Sequence, residues 1–264
     1  MGERVTISIE NQVATVTLNR PEKRNALDRG MFTGIVEAGE ALAARKDVRA
    51  VVLAGAGEAF CAGIDVASFP DLMKLNSEGG GIMARSHGDA NIFQRVSLVW
   101  RDLPQPVIAA LHGYAFGGGF QIMFGADIRV AAPDCKFSIM ESRWGLVPDM
   151  GGMVLFPSVL RQDLLRRLTY TGEVFEGLQA EAWGVVTEVS ADPLARAQAL
   201  AAEIAAKSPD AMRAAKRLIT LTEKASREEA LLLESEIQGA ILGQPNQMEA
   251  VMAGMAKRAP VFKD

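Results

Sequence analysis

The stretch that decides the fold is Val107-Ile108-Ala109-Ala110-Leu111-His112-Gly113-Tyr114-Ala115-Phe116-Gly117-Gly118-Gly119. Its first five residues form an unbroken apolar run, the pattern of a strand buried on both faces, and parallel sheets are built from such strands. The run enters a turn crowded with glycine, Gly113–Gly119, and Phe120–Ala126 then reads as a helix. A second segment shares this plan. Arg49–Ala54, with Ala50-Val51-Val52-Leu53-Ala54, passes through Gly55-Ala56-Gly57 to Phe60-Cys61-Ala62-Gly63-Ile64-Asp65. Strands that alternate with crossover helices predict an α/β fold with parallel pairing.

Upstream, Thr6–Ile9 and Val13–Leu18 alternate around Asn11 as a hairpin would. Asp28 is placed to cap a helix reaching about Ala44, with Met31, Ile35, Val36 and Leu42 on one side. Gly30, Gly34 and Gly39 each weaken that helix by about 1 kcal/mol relative to Ala, so packing must hold it. Pro70–Ser86, with Gly79-Gly80-Gly81, reads as a loop, either a lid or a passive surface segment. A helix is expected from Asp89 to Arg101, ended by Pro104 and Pro106. Ile128–Ala131 and Lys136–Ile139 read as short strands, and Val185–Val189 as one more. Helices are expected at 151–171, 178–183, 192–206, 209–224, 226–242 and 245–257. The chain thus divides into a βα core at 1–190 and a helical region at 191–264.

The 264 residues correspond to about 1.8 average domains, enough for a large core without disulfides or metals. Hydrophobic residues at 49% and charged residues at 23% are ordinary for a globular protein. The balance of 28 Lys+Arg against 32 Asp+Glu, net charge −4, argues against nucleic acid as the main partner. Cys61 and Cys135 have no paired spacing, which fits a reducing compartment and no zinc site. The N-terminus lacks the basic and apolar regions of a secretion signal, and no apolar run is long enough to span a membrane. A cytoplasmic location is therefore expected.

Turns of small residues let main-chain N–H groups face a ligand, and at a helix start those groups carry partial positive charge. From spacing alone three readings stay open. The turns cradle a phosphate, although neither matches G-x-G-x-x-G or a P-loop. They permit close packing only. Or they converge, and their N–H groups hold an oxygen that becomes negative during a reaction.

Four segments carry a resemblance: Asn25-Ala26-Leu27, Ala59–Asp65, His112–Gly119 and Gly145-Leu146-Val147-Pro148-Asp149-Met150-Gly151-Gly152. In this order and spacing the chain, from about residue 5 to its end, resembles the crotonase (enoyl-CoA hydratase/isomerase) superfamily. The resemblance implies a spiral of repeated ββα units with a C-terminal helical trimerisation region. It also implies acyl-CoA substrates of the fatty-acid type, a homotrimer or hexamer, and no metal or cofactor beyond the CoA carried by the substrate. It favours the oxyanion reading, with the N–H groups of Ile64 and Gly118 in that role. CoA contacts map onto Arg24, Ala26, Leu27, Ala62, Gly63 and Asp65, and a C-terminal lysine, often supplied by a neighbouring subunit, onto Lys257. The aromatic residue usual three positions before that lysine is Gly254 here.

Chemistry beside a thioester needs proton carriers. The second glutamate of family hydratases matches Glu141, but the first is Gln121, which cannot exchange a proton as an acid does. Its amide is suited instead to positioning a water or the base. Asp149 stands where hydratases usually have Gly and dienoyl-CoA isomerases have Asp; those isomerases usually carry a further Asp where Gln121 sits, so the chain keeps two of three isomerase carboxylates and one of two hydratase carboxylates. Taken alone, Glu141 reads equally as a surface carboxylate and Asp149 as a turn former after Pro148. The favoured reaction is isomerisation of 3-enoyl- or 3,5-dienoyl-CoA, with Glu141 and Asp149 as proton carriers. The alternatives are hydration of 2-enoyl-CoA, a non-catalytic acyl-CoA-binding protein, and an RNA-binding role that the acidic balance disfavours. Cys61 lacks a neighbouring base and reads as a packed thiol, His112 as a local hydrogen-bonding group and His87 as solvated. Trp144 and Met123, Met140, Met150 and Met153 read either as pocket wall or as ordinary packing.

Overall fold

A computed structural model describes residues 3–71, 74 and 81–264. Residues 72, 73 and 75–80, the centre of the expected 70–86 loop, lie outside the described residues. Strands β1 (Val5–Glu10) and β2 (Val13–Leu18) form the expected antiparallel hairpin. Asn11 and Gln12 at its tip both have positive φ, 48° and 67°, the turn geometry that matches strand twist. β2 then pairs in parallel with β3 (Ala50–Gly55), and β3 with β4 (Val107–Leu111). β4 pairs with β6 (Ile128–Ala131), and β6 with β9 (Glu188–Val189), completing a six-stranded sheet. A three-stranded sheet contains β5 (Tyr114–Phe116), β7 (Lys136–Ser138) and β8 (Phe175–Glu176).

The β3 and β4 side chains separate by strand alternation. Val51, Leu53, Val107, Ala109 and Leu111 face the main core. Ala50, Val52, Ala54, Ile108 and Ala110 face the other way, onto Ala197 and Ala201 of the Pro193–Ala205 helix. Alanines at i and i+4 let that helix lie close to the sheet. Three further helices, Pro209–Thr222, Arg227–Ile241 and Pro245–Met255, complete the helical C-terminal region. The architecture is the expected α/β spiral.

The Arg29–Ala43 helix is capped by Asp28, whose carboxylate accepts the Met31 N–H. Its glycines are explained at Gly39, where a Cβ would sit 2.3 Å from Val99 Cγ2 of the Ile92–Asp102 helix. Glycine there is the condition for the two helices to touch.

Several boundaries differ from expectation. The Ile92–Asp102 helix starts later than Asp89, because Asn91 and Gln94 form a reciprocal capping box. The Gly113–Gly119 turn contains β5, and the following helix is Gly118–Met123, two residues earlier than Phe120. The expected 151–171 helix is three pieces: Gly152–Leu155, a 3-10 turn Phe156–Ser158, and Gln162–Thr171. Pro157 has no N–H for a continuous helical ladder. β8 has no sequence signature, and β9 is shorter than Val185–Val189. Among the described residues no helix is long and apolar enough to cross a membrane.

A buried ion pair fastens the C-terminal region to the core. Lys216 Nζ donates to the carbonyls of Trp100 and Gln105, both at 3.0 Å, and meets Asp127 Oδ2 at 2.8 Å. Asp127 also accepts the Val107 N–H at 2.7 Å, so it joins the start of β4 to the Pro209–Thr222 helix. Burial pushes the Lys216 ammonium below its ordinary value, opposed by Asp127. Removing one member of such a pair strands the other. Lys216→Met is expected to destabilise the fold by about 3 kcal/mol in urea denaturation, and an unchanged midpoint would refute the anchoring role.

Candidate active site

β3 and β4 are neighbours in parallel, so the chain leaves both at the same edge of the sheet. The two segments that follow pair with each other. Phe60 N–H donates to the His112 carbonyl at 2.9 Å, Cys61 N–H to that of Tyr114 at 2.9 Å, and Phe116 N–H to that of Cys61 at 3.0 Å. The contact is main chain against main chain. A Cβ on Gly63 would lie 2.8 Å from the Phe116 carbonyl oxygen and 3.7 Å from the Gly118 nitrogen. A Cβ on Gly119 would lie 2.5 Å from the Cys61 carbonyl oxygen.

This pairing explains why two amides are left over. Leu27 bridges Ile64 in parallel fashion: Leu27 N–H donates to the Gly63 carbonyl, and Asp65 N–H donates to the Leu27 carbonyl. In a parallel ladder the residue between those two points its own N–H away from the partner. Gly118 opens a helix, where the first N–H groups have no intrahelical acceptor. Neither the Ile64 nor the Gly118 N–H donates to any acceptor among the described residues. Leu27 and Met150 close over Gly118, where a Cβ would come within 2.7 Å of Leu27 Cδ1 and of Met150 Sδ.

Glu141 begins the 3-10 turn after β7 and is buried at 8% exposure. Gly117 lies against it: a Cβ there would be 3.6 Å from Glu141 Oε1. The Glu141 carboxyl sits above the ordinary carboxylate range, first because it is buried and further because of the nearby Asp149 charge. A 2.6 Å hydrogen bond from Gln121 Nε2 to Oε1 opposes the rise. Glu141 Oε2 is buried and has no partner among the described residues. Asp149 keeps access to solvent, yet protein packed around it raises its carboxyl also.

The structure therefore gathers Ile64, Gly63, Gly118, Gln121, Glu141 and Asp149 around one point where β3 and β4 end. Arg24 and Ala62 are joined by an Ala62 N–H to Arg24 carbonyl bond of 3.0 Å, and both line an open cleft of about 620 Å³ with Pro21, Lys23 and Glu58. The Arg24 guanidinium lies over the Tyr114 ring at 5.5 Å. Ala26 and Leu27 are buried, and Leu27 has both main-chain groups committed, so its side chain serves as a wall. The Asp65 carboxylate is held by Arg20 at 2.7 Å and by the Ala67 N–H. Lys257 stands apart: it is exposed beyond the Pro245–Met255 helix, with no hydrogen bond or ion pair to this cluster among the described residues. A larger cavity of about 930 Å³ lies elsewhere, between Arg101, Lys216 and the C-terminal helices, and shares no residue with the turns.

Asn25 carries more than its place in a motif conveyed. It is fully buried at φ 55°; its amide donates to the Ala59 carbonyl at 2.7 Å and accepts the Arg20 N–H at 2.8 Å. It staples the first turn from behind. Arg20, which ties Asp65 down, had no signal in the sequence. Cys61 is confirmed as a packed thiol, donating to the Asn25 carbonyl, with burial pushing it up to about 12. His112 makes the expected local bond, 2.9 Å to the Gly57 carbonyl oxygen, and His87 pairs with Ser86. Met123 and Met150 are core residues, whereas Trp144 and Met153 are exposed.

A carboxyl raised by burial costs stability once it ionises. The penalty is absent at low pH and grows as pH rises from the ordinary carboxylate value toward the raised one. Glu141→Gln removes it. The variant is expected to melt no lower than the native protein at pH 7–8, with the advantage fading below about pH 4. A variant that melts well below the native protein at neutral pH would contradict the strained-carboxylate description.

The sequence profile of the enoyl-CoA hydratase/isomerase family matches residues 8–264. A mitochondrial Delta(3,5)-Delta(2,4)-dienoyl-CoA isomerase of Mus musculus is 34% identical over 95% of this chain and 79% of its own. Enoyl-CoA hydratase EchA19 of Mycobacterium tuberculosis is also 34% identical, over 100% of this chain and 97% of its own. The crystal structure of an enoyl-CoA hydratase from Polaromonas sp. JS666 superposes with a TM-score of 0.87 at 29% identity, covering 98% of this chain and 99% of the other. With a family match along almost its whole length and the two-turn site in place, this chain belongs to the enoyl-CoA hydratase/isomerase family.

Proposed function

We propose that the protein isomerises 3-enoyl- or 3,5-dienoyl-CoA thioesters to their conjugated 2-enoyl or 2,4-dienoyl forms. The observation that carries this is the buried Oε2 of Glu141, in the same cluster as the Ile64 and Gly118 N–H groups, all three without a hydrogen-bond partner among the described residues. The thioester carbonyl accepts hydrogen bonds from Ile64 and Gly118. A carboxylate removes a proton from C2, and the electron pair moves into a dienolate or trienolate whose oxygen the two N–H groups hold. Fixed donors in a dry site lower such a barrier by several kcal/mol without reorganising. The proton returns at C4 or C6, the double bonds shift, and no atom is gained or lost. Glu141 handles one transfer. Asp149 handles the other, or holds the Glu141 carboxyl high by like charge, which suits a base working near neutrality.

The CoA moiety is assigned to the open cleft at Lys23, Arg24 and Ala62, which the two cations line together with Glu22 and Glu58. Exposed Leu231, Leu232, Met252 and Met255 on the C-terminal helices support assembly into a homotrimer or hexamer. Hydration of 2-enoyl-CoA is the second reading, favoured by the hydratases among the relatives. Against it stands Gln121, an amide where that chemistry uses a second acid.

Purified protein incubated with 2-enoyl-, 3-enoyl- and 3,5-dienoyl-CoA is expected to generate conjugated product, followed by absorbance, with little hydrated product by mass. Glu141→Gln is expected to lower turnover by about 100-fold or more while CoA-thioester binding persists. Efficient 2-enoyl hydration by the native protein would overturn the isomerase reading, and unchanged turnover in the variant would remove Glu141 from its role.

A further inference from the structure

Gln121 is fully buried in the Gly118–Met123 helix, and both ends of its amide bond to protein. Its Oε1 accepts the N–H of Met150 at 2.8 Å and of Gly152 at 3.1 Å. Its Nε2 donates to Glu141 Oε1 at 2.6 Å. The orientation has no freedom, since main-chain N–H groups only donate and must meet the amide oxygen. The amide nitrogen is therefore forced toward Glu141. Gly152 is the condition for this approach, since a Cβ there would lie 2.8 Å from Gln121 Oε1. The clamp joins the base to the 149–152 segment that carries Asp149.

We infer that Gln121 is a positioning and specificity residue: it clamps Glu141 by one oxygen, leaves Oε2 as the one Glu141 oxygen open to a proton, and sets an amide where a further acid would touch Glu141. The clamp stands on the hydrogen bonds alone, whereas its consequence for reaction choice rests on the proposed isomerase function. A donor N–H favours the ionised form of the carboxyl it touches. An amide, however, cannot give up its proton to a substrate carbon or take one from water. A glutamate at this position would keep an acceptor for Met150 and Gly152, but its other oxygen would face Glu141 Oε1. Two carboxyls that close share a proton and titrate as a pair.

The test uses full-length Gln121→Met and Gln121→Glu beside the native protein. The Glu141 carboxyl is followed by ¹³C NMR titration, its resonance assigned by its loss in Glu141→Gln. The pH dependence of kcat is measured in parallel. In Gln121→Met the Glu141 titration and the acid limb of kcat are expected to move up by about one pH unit, with KM little changed. In Gln121→Glu the ratio of 2-enoyl hydration to isomerisation is expected to rise by about 10-fold or more. A merely structural glutamine would lower the melting temperature and leave the titration and the pH profile in place, and that result would overturn the inference. Gln121→Glu retains the acceptor for both N–H groups, so it remains informative should Gln121→Met not fold. An unmoved hydration-to-isomerisation ratio there would overturn the specificity role. Were the native protein to turn over none of the three thioesters, the isomerase reading would fall while the NMR titration still decided the clamp.

Discussion

Everything at this site depends on two turns meeting main chain to main chain, with no side chain between them. A Cβ at Gly63 would press on the Phe116 carbonyl, and one at Gly119 on that of Cys61. The hydrogen bonds between Cys61 and Tyr114 and between Phe116 and Cys61 fix the register of the contact. Once that register is set, the inward-facing amides are consumed, and those of Ile64 and Gly118 are left without an acceptor among the described residues. The parallel β3–β4 pair is what brings the turns together, because parallel neighbours end at the same edge of a sheet. The fold thus produces a pair of pre-aimed donors as a consequence of its own hydrogen bonding.

Around those donors the protein arranges opposing electrostatic effects. Burial and the Asp149 charge favour a protonated Glu141, and the Gln121 amide favours an ionised one. Such a balance suits a group that must both take and return a proton. It is held rigidly. Asn25 staples the first turn, Arg20 holds Asp65, and Met150 and Gly152 hold Gln121. Each support is a buried or half-buried polar contact in which loss of one partner leaves the other unsatisfied. The C-terminal helices are fastened in the same way, through Lys216 to Asp127 and through Arg49 to the Asp264 carboxylate at 2.7 Å.

The strands of the large sheet were legible because burial on both faces forces continuous apolar runs, as in Val51–Ala54 and Val107–Leu111. The Arg29–Ala43 helix was legible from its Asp28 cap and apolar stripe. β8, two residues long, carried no pattern, and β5 was hidden inside a glycine-rich segment that read as turn. The start of the Ile92–Asp102 helix was misplaced because its capping box lies two residues past the more obvious acidic residue, Asp89. Arg20 and the clamp on Gln121 depend on partners 45 and 29 residues away, which no local window contains.

By itself, the sequence determined the alternation of buried strands with helices, the small-residue turns and the residue types available for chemistry. Those follow from local rules of periodicity, capping and glycine geometry. Only the tertiary structure decided which amides stay unpaired, which Glu141 oxygen stays free and which way the Gln121 amide points. Each of these is a question of what lies opposite a given atom in three dimensions, and the partners come from distant parts of the chain.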